Sequence, residues 1–169
     1  FTTVSQITNN ECRELLKRPA DVVLMNGFED DFVPKGSTFT GKRKRARSLM
    51  LNVANKMLGT NLGDDTLIVG TSGRYEFKNK GIDTFLESLN RLNKDEKLQK
   101  NVLAFISVPA WVSEPREDLK ERLKSKQKFD TALDTPFITH WLHNMEFDQV
   151  LNMLKHTELK NSVEDKVKV

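Results

Sequence analysis

The sequence predicts an α/β fold, a parallel sheet flanked by helices and interrupted by a short helical insertion. Three observations predict it. First, the runs DVVLMNG (21–27), TLIVGT (66–71) and NVLAFISVP (101–109) are apolar almost throughout, as in strands covered on both faces. Second, helical periodicity fills the gaps between them, so strand and helix alternate as in βαβ units. Third, the composition changes between residues 110 and 165, where charged sequence separates the third run from a last short one, KVKV (166–169). No internal repeat, low-complexity tract or linker interrupts the pattern.

Taken in order, the stretch TVSQITNNECRELLKR suggests a turn and then a short helix, with Thr8 and Glu11 at capping-box spacing and Leu15 and Leu16 as an apolar edge. The run 21–27 is predicted as a buried strand closed by the tight turn Asn26-Gly27. Residues 36–41, rich in Ser, Thr and Gly, read as a loop. A helix is expected over 42–58, with Ala46, Leu49, Val53 and Met57 on its inner face and Gly59 as its C-terminal cap. The second strand, 66–71, leads to the helix 81–93, whose stripe is Ile82, Phe85, Leu86, Leu89 and Leu92. After the third strand come a charged helix over 115–129, with Leu119 and Leu123 inward, and a shorter one marked by Phe147, Val150, Leu151 and Leu154.

Bulk properties narrow the function classes. The chain has 169 residues, 30% charged and 37% hydrophobic, enough for one domain with a core of its own. A net charge of +3 fits an acidic or phosphorylated ligand without marking a nucleic-acid binder. Cys12 is alone, so an intrachain disulfide is excluded, a reducing compartment is expected, and the thiol reads as a small apolar group. No apolar run approaches the ~20 residues of a membrane span, and no signal peptide is visible. The chain opens on Phe1 and closes on DKVKV, which reads as a strand stopped partway; the expectation is a piece of a longer protein.

The segment GRYEFKNKG (73–81) follows the second strand, and in parallel sheets ligands bind at the carboxyl ends of strands. Two readings are open. Arg74, Lys78 and Lys80 could be solvated loop charges. Alternatively, the guanidinium of Arg74 and the ammonium of Lys80, beside a helix N-terminus with free amides, suit a diphosphate. A competing signal is GKRKRARS (41–48), whose basic residues from Lys42 to Arg47 could bind RNA or another acidic partner, or form a solvated helix face. His140 and His143 form H-x-x-H, but no further ligands complete a zinc site, so no metal is assigned. Trp111 and Trp141 read as packing anchors, Trp111 holding the inserted helices to the sheet. Glu29, Asp30 and Asp31 form an acidic turn.

GRYEFKNKG resembles the Gly-Arg-Tyr-Glu-Phe-x-Asn-Lys-Gly signature of the glycogen synthases of the animal and fungal type, which have two Rossmann-like domains (the GT-B architecture). TVSQIT, LLKRPADVVLMNG, THWLHNM and DKVKV resemble other family segments in the same order. The resemblance implies that residues 1–20 end the first domain. Residues 21–169 would then be the first part of the C-terminal nucleotide-sugar-binding domain, with a helical insertion at 110–165. It implies retaining transfer of glucose from UDP-glucose to the 4-hydroxyl end of an α-1,4-glucan, in the cytoplasm, with no cofactor and no metal. Arg74 and Lys80 would contact the donor diphosphate, with Gly73, Asn26 and Gly27 beside it, and Lys78 would fall at the variable position. The partners implied are the nucleotide sugar, the glucan acceptor and the rest of the chain, an oligomer being open. The carboxylate motif and nucleobase contacts would lie beyond Val169, leaving the fragment inactive alone. Leu24-Met25 departs from the family's usual Thr-Pro, and the insertion is shorter than in animal and fungal members, as a bacterial member with simpler control would have it. Rival readings are another retaining GT-B enzyme, of the sucrose or trehalose-phosphate synthase kind, and a non-catalytic α/β module binding through Lys42 to Arg47.

Overall fold

A computed structural model describes residues 1–169, which divide into two units, Phe1–Lys42 and Arg43–Val169. In the first, β1 (Thr2–Thr3) leads into α1 (Gln6–Leu15), and β2 (Val22–Val23) pairs with β1 in parallel, Thr2 opposite Val22 and Thr3 opposite Val23. The N-cap of α1 is Ser5, not Thr8. Its extended backbone aims the hydroxyl at the Thr8 amide, 3.1 Å away, so the expected cap sits one turn too late. Asn9 is buried, and its Oδ1 accepts from the Ala20 amide at 2.7 Å, tying the chain after α1 back onto the helix.

The buried strand expected over 21–27 is reduced to Val22–Val23, and Leu24 and Met25 are exposed. The physical reason is pairing: the run has a ladder on one side and over two residues, so its alternate faces gain no cover. Leu15 and Leu16 are likewise exposed. A 3₁₀ turn at Asp30–Phe32 holds the acidic residues, and α2 then runs Gly36–Leu58. The loop expected over 36–41 is therefore helical. Ser, Thr and Gly cost a helix only tenths of a kcal/mol to ~1 kcal/mol each, less than the cost of nucleating a helix anew.

In the second unit the inner face of α2 is Leu51, Ala54, Met57 and Leu58, while Leu49, expected inside, is 62% exposed. Gly59 ends the helix at φ +62°, where a β-carbon would overlap the Thr131 backbone. The main sheet is parallel, in the order β3 (Leu67–Ser72), β4 (Val102–Ser107) and β7 (Val167–Lys168), with α3 (Ile82–Asn93) between β3 and β4. The register runs from Leu67 opposite Val102 to Ser72 opposite Ser107. Alternate residues of β4 feed two cores. Val102 and Ala104 join Ile82, Leu86 and Leu89 of α3, whereas Leu103 joins Leu51, Ala54 and Met57 of α2. This two-sided cover is why the strand is apolar throughout.

The inserted segment departs most from expectation. Instead of a helix over 115–129, β5 (Val112–Pro115) pairs antiparallel with β6 (His140–Leu142), and α4 is confined to Glu117–Lys124. Arg116 explains the late start. It is buried, clasps the Asp118 carboxylate at 2.7 and 3.1 Å, and donates to the carbonyls of Thr135 and Ile138. The residue that would open a longer helix is thus committed to the segment's interior. Trp141 packs against it, but Trp111 is 71% exposed and does not hold helices to the sheet; its ring faces His143. A last helix, α5 (Gln149–Lys155), buries Leu151 and Leu154. No helix is long and apolar enough to cross a membrane.

Candidate active site

The loop 73–81 begins where β3 ends and closes at the first residue of α3. Gly73 takes φ +152° and donates its amide to the Ser107 carbonyl (3.3 Å), at the carboxyl end of the neighbouring strand β4. Gly81 takes φ +65° as the N-cap of α3. Both are backbone conformations that residues with a β-carbon rarely adopt. Between them the chain folds back on itself: the Lys80 amide donates to the Glu76 carbonyl at 2.8 Å, and that of Ile82 to Phe77 at 2.9 Å.

Side chains alternate across the loop. Tyr75 and Phe77 pack against the core that contains Ile82 and Leu86, while Arg74, Lys78 and Lys80 stay in solvent. Arg74 reaches Glu76 at 3.0 Å with three-quarters of its side chain exposed. An exposed pair of this kind contributes ~0–1 kcal/mol, so an anion of higher charge can displace the carboxylate. Lys80 has no carboxylate partner among the chain's ion pairs.

The helix N-terminus is less open than expected. The Ile82 amide is taken by the Phe77 carbonyl, that of Thr84 by the Asp83 carboxylate at 2.8 Å, and Asp83 adds negative charge to the first turn. The positive charge this loop offers is therefore that of the Arg74 and Lys80 side chains rather than of free amides. Gly73, Arg74 and Lys80 come together in this one loop. Asn26 and Gly27 belong to the other unit, both exposed just after β2.

The remaining candidates have local roles. Lys42, Arg43, Lys44 and Arg45 are exposed on α2, but Arg47 donates to the carbonyls of Asp64 (2.7 Å) and Thr66, bracing the turn before β3. His140 Nδ1 pairs with the Thr139 hydroxyl, and no group of three or more His, Cys, Asp or Glu is placed to hold a metal ion.

Sequence reasoning missed what holds the loop. The Tyr75 hydroxyl donates to Asp148 Oδ2 at 2.6 Å and accepts from the Val150 amide at 3.2 Å. Burial, reinforced by the bond to Asp148, pushes the phenol well above its ordinary range, so it stays a donor. Asp148 in turn caps α5, its Oδ1 accepting from Leu151 at 2.9 Å. A cavity of about 300 Å³ opens beside this contact, lined by Tyr75, Asp148, the Phe105–Ser107 end of β4 and Val108 just after it.

A parallel sheet flanked by helices, with a cationic loop at its carboxyl edge, is the arrangement of a Rossmann-like domain. Comparison narrows the class. The glycogen synthase family model matches residues 1–135. The glycogen [starch] synthase of Neurospora crassa is 29% identical over 228 residues, covering all of this chain and 32% of that protein. Isoform 1 from Saccharomyces cerevisiae is also 29% identical, over all of this chain and 33% of its own length. The human liver glycogen [starch] synthase is 36% identical over 78% of this chain and 20% of its own. The chain belongs to the glycogen synthase family, and it spans about a third or less of these relatives. The Neurospora match uses 228 residues against 169 here, so the relative has extra residues within the shared span.

Proposed function

We propose that the full-length protein is a glucosyltransferase of the glycogen synthase kind. It moves glucose, with retention, from UDP-glucose to the 4-hydroxyl at the end of an α-1,4-glucan. These 169 residues would hold part of the donor site and not turn over alone. Its partners are then the nucleotide sugar, the glucan and the remainder of its own chain, in a cytoplasm that keeps the Cys12 thiol reduced.

The observation that supports this reading is the loop itself, with Arg74 and Lys80 exposed at the carboxyl edge of a parallel sheet in a chain of this family. When the glycosidic bond to the donor breaks, negative charge grows on the departing nucleoside diphosphate. Arg74 offers paired N–H donors to its oxygens, and Lys80 offers a compact point charge. Cations already fixed where charge develops lower the barrier without reorganising. Gly73, which has no side chain, lets the diphosphate approach the backbone.

The test is transfer of labelled glucose from UDP-glucose to glycogen by the full-length protein. Arg74→Ala and Lys80→Ala should each lower the rate by on the order of 10²-fold or more. Variants within a few-fold of wild type would remove both residues from the site, and a wild type with no transfer would sink the function.

A further inference from the structure

We propose that Tyr75 and Asp148 form a latch that positions the Arg74–Lys80 loop for the donor diphosphate. Asp148, in the inserted segment, is thereby a positioning residue of the reaction; the inference rests on the donor-site reading above. Two hydrogen-bonded ties join residues 73–81 to distant parts of the chain. One is the Gly73 amide on the Ser107 carbonyl, a longish 3.3 Å. The other is the Tyr75 hydroxyl, bonded to Asp148 across 73 residues at 2.6 Å and to the Val150 amide. Residues 74–76 otherwise bond only within the loop, through the Glu76 amide to the Arg74 carbonyl, the Lys80 amide to the Glu76 carbonyl and the Arg74–Glu76 pair. Removing the phenol hydroxyl would leave the backbone that aims Arg74 held by the Gly73 bond and by the packing of the rings at 75 and 77, with no directed tie across to α5.

The anchor is itself built into a helix. Asp148 splits its two oxygens, Oδ2 to Tyr75 and Oδ1 to the first turn of α5, and α5 is fixed by Leu151 and Leu154 at 6% and 3% exposure. A bond to an ionised acceptor is short and directional. A group that holds the donor diphosphate acts on the bound donor and the transition state alike, so displacing it weakens donor binding, and this bond has leverage beyond its own strength. The alternative is that the pair only satisfies a half-buried phenol.

The two can be separated in the full-length protein. Tyr75→Phe keeps the ring in the core and removes the latch. Asp148→Ser keeps an N-cap for α5 but is too short to reach the phenol. With labelled transfer as the assay, each single variant should lower kcat/KM for UDP-glucose roughly tenfold, chiefly through a higher donor KM. The KM for glycogen should not move, and the double variant should be no worse than the worse single. UDP alone, titrated calorimetrically, should bind correspondingly more weakly. A merely structural role would lower the active fraction at unchanged donor KM; that result, or additive losses, overturns the inference. A wild type that transfers no glucose overturns the functional reading and the latch with it. An active wild type whose variants keep the donor KM overturns the latch alone.

Discussion

The guanidinium of Arg116 lies 4.5 Å from the ring centroid of Trp141 while both its outer nitrogens are engaged, one by Asp118 and one by backbone carbonyls. The side chain is fully buried. Removing it takes a donor from the Thr135 and Ile138 carbonyls and leaves a hole beneath the Trp141 ring. Arg116→Ala should therefore lose about 3 kcal/mol. Arg116→Lys should recover little, because an ammonium cannot fork onto a carboxylate and stack at once. Denaturant unfolding of the full-length protein checks both.

Asp165 predicts a pH dependence. Burial raises its pKa, but hydrogen bonds from the Asn93 side chain and from Ser162 outweigh that and hold it below 3.8. A carboxylate depressed in the folded state stabilises above its unfolded pKa and loses that contribution as pH falls through its folded value. Wild type should exceed Asp165→Asn in stability at pH 7, and the gap should close below about pH 4. Urea midpoints across that range measure it; a constant gap would contradict the assignment.

Gly59 should resist substitution. At φ +62°, with the Thr131 backbone where a β-carbon would go, Gly59→Ala combines backbone strain with a clash that no rotamer can relieve. A loss of at least ~2 kcal/mol is expected. Gly27, with open space around it, is the control and should tolerate alanine nearly freely. Thermal melts of the two variants give the comparison.

The basic run should divide in two. Replacing Lys42, Arg43, Lys44 and Arg45 by Gln should change stability by no more than ~0.5 kcal/mol, as for exposed residues without partners. Arg47→Ala should cost about 2 kcal/mol, since its charged donors hold two carbonyls before β3. Equal effects from both would mean that the bonds from Arg47 are energetically idle.

Where local pattern and tertiary packing agreed, the fold was legible. The stripe from Ile82 to Leu92 announced α3, and Gly59 announced the end of α2. The apolar run 101–109 announced a strand covered on both sides, which β4 is. The run 21–27 had the same appearance, yet it is exposed beyond a two-residue ladder. An apolar run states that a strand could be buried; neighbours decide whether it is. Charged residues mislead the other way. Arg116 sits among glutamates and lysines and reads as solvent-facing, but a guanidinium can be buried when a carboxylate, carbonyls and an aromatic face all meet it.

The sequence by itself determined the alternation of strand and helix, the family, and the loop of residue types that a diphosphate would need. Those follow from periodicity and from a contiguous motif, which are properties of neighbours along the chain. Only the tertiary structure decided that Tyr75 meets Asp148, that the amides of α3 are already occupied, and that the inserted segment closes around Arg116. These depend on which distant residues share a few ångströms of space. Hydrogen bonds and burial act at that range, and no local spacing encodes it.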